Sequence, residues 1–356
     1  MRKVYVIAEA GVNHNGSAET AEKLIKIAAE AGADAVKFQT YRTELLVSAD
    51  APKADYQKET TSKTESQYDM LRKLELPREA YPHLMSVAKA AGIDFLSTPF
   101  EKDSLNFLIE YCGLDLIKLP SGEITNGPFL LAAARTGRKI ILSAGMSNLS
   151  EIETALGVLA FGYLEQGEPT SRRDFARAYV EAQTQGLLAQ KVTLLHCTTE
   201  YPAPFDEVNL NAMDTLRRAF MLPVGYSDHT PGTAVALAAA ALGAEVIEKH
   251  FTADRNLPGP DHAASLEPTE LGEMVRGIRQ IERALGDSRK MPRLREQNNI
   301  NAARKSLTAA RSIRRGEPFT AGNLCAKRPG FGRSPMEYWE LLGQKAAKDY
   351  AADEPI

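Results

Sequence analysis

Two apolar runs of this 356-residue chain each end in a histidine set among charges: Gly225-Tyr226-Ser227-Asp228-His229-Thr230 and Glu245-Val246-Ile247-Glu248-Lys249-His250-Phe251. If each run is a β-strand and the helix-length stretch between them is a crossover, the strands are parallel and their imidazoles stand side by side at one sheet edge. A lone histidine at a strand end is more often a hydrogen-bonded structural residue, and it is the pairing that makes His229 and His250 candidate metal ligands. Two ligands leave most coordination positions to water and substrate oxygen, which suits Lewis-acid chemistry. No cysteine cluster stands ready to close a structural zinc site.

Other strand ends carry matching residue types. Lys37 and Lys118 are costly to bury unpaired, so they imply either an anionic ligand or a salt bridge to Glu9 or Glu123. Ser121, Ser143 and Ser227 at further strand ends add hydroxyl donors and favour phosphate and carboxylate binding. Glu123, after Ser121-Gly122, is a candidate general acid or base, or else an orienting partner for a lysine. Thr98 and Phe100, in Ser97-Thr98-Pro99-Phe100, close the third apolar run. His14 reads as turn chemistry before a helix and Cys197 as core, while His196 has no nucleophilic partner in sequence.

These ends need a scaffold that gathers them. Short β-rich runs at 4–8, 35–39, 94–97, 114–119, 139–143, 192–197, 222–226 and 244–248 alternate with helical periodicity, the rhythm of parallel βα units. Eight such units favour an α/β fold of the (β/α)8 TIM-barrel type over an open sheet, because closure at eight leaves no exposed edge and brings all C-terminal strand ends to one face. Two connections are long. Residues 43–77, with Lys53, Tyr56, Gln57 and Gln67, read as a loop or lid, and residues 162–190 as an extra surface helix without a catalytic role. The loop Leu257-Pro258-Gly259-Pro260-Asp261-His262 follows the last strand and is placed to reach back over the mouth. The expected domains are a barrel at 1–286, a polar linker or arm at 287–304, and a compact unit at 305–356 too small for a large core of its own.

Composition narrows the function. The net charge is −3 with no basic block, so nucleic acid is a poor partner and small molecules a better one. Three widely spaced cysteines fit free thiols in a reducing compartment. The N-terminal apolar segment is too short for a signal sequence and no run approaches a membrane span, so a cytoplasmic protein is expected.

The ordered motifs resemble the sialic (nonulosonic) acid synthases, which condense phosphoenolpyruvate with an N-acylated mannosamine-type sugar. The resemblance rests on Ala8–Gly16, Val36-Lys37-Phe38-Gln39-Thr40, Ser97-Thr98-Pro99-Phe100, Lys118-Leu119-Pro120-Ser121-Gly122-Glu123, His196–Pro202, Ser227-Asp228-His229-Thr230, Glu248-Lys249-His250-Phe251 and Gly259-Pro260-Asp261. The C-terminal unit is similar to the antifreeze-like (SAF) domain through Lys327-Arg328-Pro329-Gly330-Phe331-Gly332. The resemblance implies that His229 and His250 hold a divalent metal, manganese first and magnesium or cobalt as substitutes. It implies that Lys37, Lys118, Ser121, Ser143 and Ser227 hold phosphoenolpyruvate and that Glu123 transfers protons. By the same resemblance Glu9, Phe100, Tyr201 and Asp261 line the sugar pocket, with Arg328 reaching in from the partner of a domain-swapped homodimer.

Two departures stand out. Thr199-Glu200 replaces an asparagine of neuraminate-forming members, and Cys197–Pro204 looks more like members that make N,N'-diacetyllegionaminate; N-acetylneuraminate from N-acetylmannosamine is the alternative product. Residues 162–190 are longer than the family's usual connection. A lysine Schiff-base aldolase on the same barrel and a carbohydrate-binding protein with an inert barrel are the rival classes.

Overall fold

The computed structural model describes residues 3–54, 57–58, 61–62, 64–165 and 167–356. Tyr56, expected in the long connection after the second strand, lies outside the described residues. The chain divides into two compact units, Met1–Gly286 and Asp287–Ile356.

The first unit is a (β/α)8 barrel. Its strands are β1 Tyr5–Gly11, β2 Ala35–Thr40, β3 Asp94–Pro99, β4 Leu116–Leu119, β5 Lys139–Ser143, β6 Val192–His196, β7 Val224–Asp228 and β8 Val246–His250. Parallel ladders run in the order β3-β2-β1-β8-β7-β6-β5-β4, and β3 packs on β4 to bring the ends of the ring together. The strands are apolar on both faces because both are covered. Val6, Ala8, Val36, Phe38, Leu142, Leu194 and Ile247 pack outward into the main core, shared with helices such as Ala18–Glu30 and Pro268–Leu285. Ile7, Ala35, Leu96, Ile141, Leu195 and Val246 form a separate cluster, with Leu116 against it.

That inner cluster fixes where the chemistry can be. Side chains two residues apart on a strand share a face. One step beyond the apolar layer, Ile7 is followed by Glu9, Ala35 by Lys37, Leu96 by Thr98, Leu116 by Lys118, Ile141 by Ser143 and Val246 by Glu248. The barrel is thus plugged by hydrocarbon below and polar at its C-terminal end.

Both expected long connections contain helices. Within 43–77, Thr43–Leu46 and Gln67–Leu74 are helical, and the buried Lys53 ammonium is 3.0 Å from Glu65, so it serves its own segment. The extra surface helix is Arg172–Thr184, which buries only Ala178 and Ala182 and leaves its charges outward.

In the second unit β9 Ser306–Ala309 pairs antiparallel with β10 Leu324–Lys327 over a core that includes Leu307, Ile313, Phe319, Leu324 and Leu341. The stretch 287–304, expected as a linker or extended arm, carries a helix at Leu294–Ala303; the Glu296 carboxylate accepts the Arg293 backbone N–H at 2.8 Å and caps its start. Among the described residues no helix is long and apolar enough to cross a membrane.

Gly225 lies in the inner layer where β7 passes β8. A Cβ there would stand 2.3 Å from the Val246 carbonyl oxygen and 2.7 Å from Leu195 Cδ2, and the strand backbone cannot yield cheaply. Gly225→Ala is expected to lower stability by about 1–3 kcal/mol through overpacking, measured by urea unfolding; a variant as stable as the parent would show that the inner layer has slack.

Candidate active site

The polar layer opens into a cavity of about 390 Å³ at the C-terminal ends of the strands. Glu9, Lys37, Thr98, Phe100, Lys118, Ser121, Ser143, Tyr201, Ser227, His229, His250 and Asp261 all line it, so residues spread over 250 positions of sequence meet in one space. Glu123 does not line it: its carboxylate accepts from the Asn126 amide at 2.7 Å, one turn away in the local chain. Arg328 belongs to the second unit, where it is exposed.

Four buried charges occupy the floor. Lys37 Nζ is 2.6 Å from Glu9 Oε2 and 3.6 Å from Glu248 Oε2, and it donates to Thr98 Oγ1 at 2.9 Å. Lys118 Nζ is 3.3 Å from Glu248 Oε1, which also accepts from Ser227 Oγ at 2.8 Å. Both lysines therefore have a carboxylate partner, Lys37 the expected Glu9 and Lys118 the unexpected Glu248 in place of Glu123. Burial works against Glu248's charge, but Lys118 and Lys37 outweigh it and hold the carboxyl low. Burial raises Glu9 in spite of Lys37, and it lowers Lys118. Among the described residues Glu248 is the only carboxylate within ion-pair reach of Lys118, so most of that ammonium's three donors remain available to the cavity.

The histidine pair forms the next level. Ring centroids of His229 and His250 are 5.8 Å apart, and Tyr201 lies 4.1 Å from His229 and edge-on to His250 at 5.7 Å. His229 Nδ1 donates to the Thr198 carbonyl at 2.6 Å, which leaves Nε2 as its lone-pair nitrogen. His250 Nδ1 is buried and has no hydrogen-bond partner among the described residues. Burial pushes His229 down to about 4 and His250 well below its ordinary value, so both imidazoles are neutral. Neutral rings, one oriented by a backbone carbonyl and one with an orphaned nitrogen, fit a divalent ion. Among the described residues no group of three or more His, Cys, Asp or Glu could hold one, so water or substrate would complete the coordination.

Outward-facing neighbours hold these histidines in place. Asp228 accepts from Thr230 N at 2.9 Å and from Thr230 Oγ1 at 2.7 Å, while its other oxygen is 2.9 Å from the buried Lys249 ammonium. That cross-strand bond ties the end of β7 to β8. Asn15 Nδ2 donates to the Pro258 carbonyl at 2.8 Å, which draws the loop carrying Asp261 over the mouth as expected.

Other sequence readings divide. His14 is buried in its turn with Nδ1 accepting from Gly16 N at 3.0 Å, and His196 bonds the Val208 carbonyl at 2.7 Å; neither lines the cavity. Cys197, expected in the core, is buried but lines the cavity, 3.2 Å from Ser121 Oγ. Gly145 is tight against the same group: a Cβ there would lie 2.4 Å from Thr199 Oγ1 and 2.8 Å from both Cys197 Sγ and Ser121 Oγ. Glu248 was passed over as a site residue although it stands two positions after Val246 on an inward face, which was the available signal. The apolar wall of Val12, Tyr41, Leu46, Met70 and Leu74 had no such signal, since its members come from separate loops and short helices.

Comparison with known proteins agrees with this geometry. The chain matches the NeuB family over residues 24–290 and the SAF domain over residues 304–356. It is 52% identical to the N,N'-diacetyllegionaminic acid synthase of Campylobacter jejuni, covering 100% of this chain and 99% of that protein. It is 41% identical to the enzyme of the same name from Legionella pneumophila, covering 98% and 92%. Among solved structures it resembles the N-acetylneuraminic acid (sialic acid) synthetase of Leptospira borgpetersenii, with a TM-score of 0.67 and 34% identity over 84% of this chain and 90% of that one. A barrel whose strand ends carry two lysines, two histidines and their partner carboxylates, matched along its length by these sequences, belongs to the NeuB family.

Proposed function

We propose that this chain condenses phosphoenolpyruvate with an N-acylated mannosamine-type sugar, and that the sugar is 2,4-diacetamido-2,4,6-trideoxymannose, giving N,N'-diacetyllegionaminate and phosphate. The observation that carries the reading is Lys118, a buried ammonium with donors to spare, facing a cavity that also receives Ser121 and the unpartnered Ser143 hydroxyl. Such a site suits an anion with several acceptor oxygens. Phosphoenolpyruvate offers both a phosphate and a carboxylate. The enol carbon C3 bonds to the sugar's aldehyde carbon, water adds at C2, and C–O cleavage releases phosphate. Lys37 and Lys118 hold the anion, and Glu9 and Glu248 keep those ammonium groups fixed. His229 and His250 would hold a divalent ion, with manganese the first choice, whose chemistry is to polarise the aldehyde oxygen. The choice of sugar rests on Thr199, which lines the cavity where an asparagine would read a hydroxyl, and on identity of 52% and 41% to proteins named for this product against 34% to a sialic acid synthetase.

Asp261 shows the site's cost to the fold. Burial alone pushes its carboxyl up to about 6, and among the described residues no side chain pairs with it. Arg328, exposed in the second unit, is proposed to complete the sugar site of a partner copy, since a guanidinium suits an acyl oxygen.

Phosphate release is expected only with both substrates, to fall at least a hundredfold on chelation, and to fall as far in the His229→Ala/His250→Ala variant, which should also lose Mn²⁺ binding by calorimetry; full turnover in that variant would remove the metal from the reading. With Asp261, the folded state holds a proton that the unfolded chain has lost between its ordinary value of 3.8 and about 6, so stability falls as pH rises through that window. Asp261→Asn should therefore stabilise the substrate-free protein by about 1–3 kcal/mol at pH 8 and by little near pH 4, read from unfolding at the two pH values. For Arg328, mixing inactive Arg328→Ala and Lys118→Met subunits is expected to restore activity through hybrid dimers. No recovery after demonstrated subunit exchange would rule out action in trans.

A further inference from the structure

The cavity has two chemically different ends, one charged and one largely apolar. Toward the mouth much of its wall is hydrocarbon, with Gln57 and Gln67 of the connection after β2 among the polar lining residues. Val12, Tyr41, Met70 and Leu74 are buried in a cluster of their own, with Leu46 and Phe100 packed against it, and all six line the cavity. This cluster is separate from the main core and from the inner plug of the barrel.

Chain position puts the wall on the mouth side of the charges. Tyr41 follows Lys37 by four residues at the end of β2, about 13 Å at the rise of an extended strand. Val12 likewise follows Glu9, and Phe100 follows Thr98. The rest of the wall comes from the helices Thr43–Leu46 and Gln67–Leu74. Tyr41 and Phe100 meet edge to face at 6.0 Å. The Tyr41 hydroxyl donates to the Leu71 carbonyl at 3.1 Å, so its donor is committed and its ring is what the cavity meets.

The proposed reaction fixes which end of the acceptor lies here. The aldehyde carbon must meet phosphoenolpyruvate beside the lysines, so the opposite end of the open-chain sugar, C5 and C6, extends toward the mouth. We infer that this wall, and above all Met70, Leu74 and Leu46, is the specificity determinant for the acceptor's terminal carbon, selecting a C6 methyl over a C6 hydroxymethyl. A hydroxyl placed against Met70, Leu74 and Leu46 would exchange water for side chains that offer no hydrogen bond. An apolar pocket of this kind discriminates against an added hydroxyl by about a hundredfold and not much more. The inference rests on the condensation proposed above and locates its selectivity for a 6-deoxy sugar in the connection after β2, apart from Thr199.

The test compares two acceptors that differ only at C6: 2,4-diacetamido-2,4,6-trideoxymannose and its 6-hydroxy counterpart, each with saturating phosphoenolpyruvate. The parent should favour the 6-deoxy sugar by about tenfold to a hundredfold in kcat/KM. Met70→Gln, which nearly conserves volume, should cut that ratio at least tenfold, mainly through the KM of the sugars, with the KM for phosphoenolpyruvate unchanged. Leu46→Gln, at a partly buried position that tolerates a polar group more easily, should move the ratio in the same direction if Met70→Gln proves unstable. A preference retained within twofold in folded variants overturns the wall and leaves the proposed reaction standing. A parent that releases phosphate with both sugars but has no preference also overturns the wall alone. A parent that releases phosphate with neither overturns the proposed acceptor and the inference together.

Discussion

Two ammonium groups and two carboxylates lie almost wholly buried inside one barrel, and the remaining features of the site depend on that arrangement. Any one of the four charges, left alone there, would cost several kcal/mol. Together they hold one another: Lys37 between Glu9 and Glu248, Lys118 against Glu248, and Ser227 on the same carboxylate. The arrangement is not closed. Lys118 retains donors, Ser143 has an unpartnered hydroxyl, and Glu9 is raised by burial, so the floor is built to take up a further anion.

Holding charges at fixed positions requires a rigid wall, and the strands supply it by alternation. Every inward position one step below the charges is hydrocarbon, which excludes water and closes the barrel beneath them. The histidines need a second support because they sit at or just beyond the ends of β7 and β8. The Lys249–Asp228 pair on the outer side of the sheet, with Thr230 bonded to the same carboxylate, provides it. The Thr198 carbonyl then sets the His229 ring. Inner and outer charges have different tasks on the same two strands: the inner ones face the ligand, and the outer ones fix the frame.

Above the charges the chemistry changes toward hydrocarbon over a few residues at the ends of β1, β2 and β3, where Val12, Tyr41 and Phe100 stand. Such a gradient suits an extended substrate whose reacting end is polar and whose far end is not. It also accounts for the placement of the long connection after β2, whose helices complete the apolar wall, and of Asp261, which the loop after β8 carries into a buried position where no side chain among the described residues pairs with it. Groups that are poorly satisfied in the free protein cluster at functional sites, where a ligand supplies what the fold does not.

The sequence by itself determined the eight parallel βα units, the order of the strand ends and the gathering of Lys37, Lys118, His229 and His250 at one mouth, because strand periodicity and the geometry of a closed parallel barrel leave little choice. It also placed an extra surface helix within residues 162–190, found at Arg172–Thr184, since charge at helical spacing on a surface segment is a local property. Pairings across the barrel were decided only by the tertiary structure. Lys118 meets Glu248 from a strand 130 positions later and not Glu123 five positions on, because inward-facing strand positions share a space that the turn after β4 does not enter. For the same reason Cys197 joins the cavity wall and Glu123 turns to Asn126. The apolar wall was least legible, because Val12, Tyr41, Met70 and Leu74 lie on elements with no common period and become one surface only when the barrel closes.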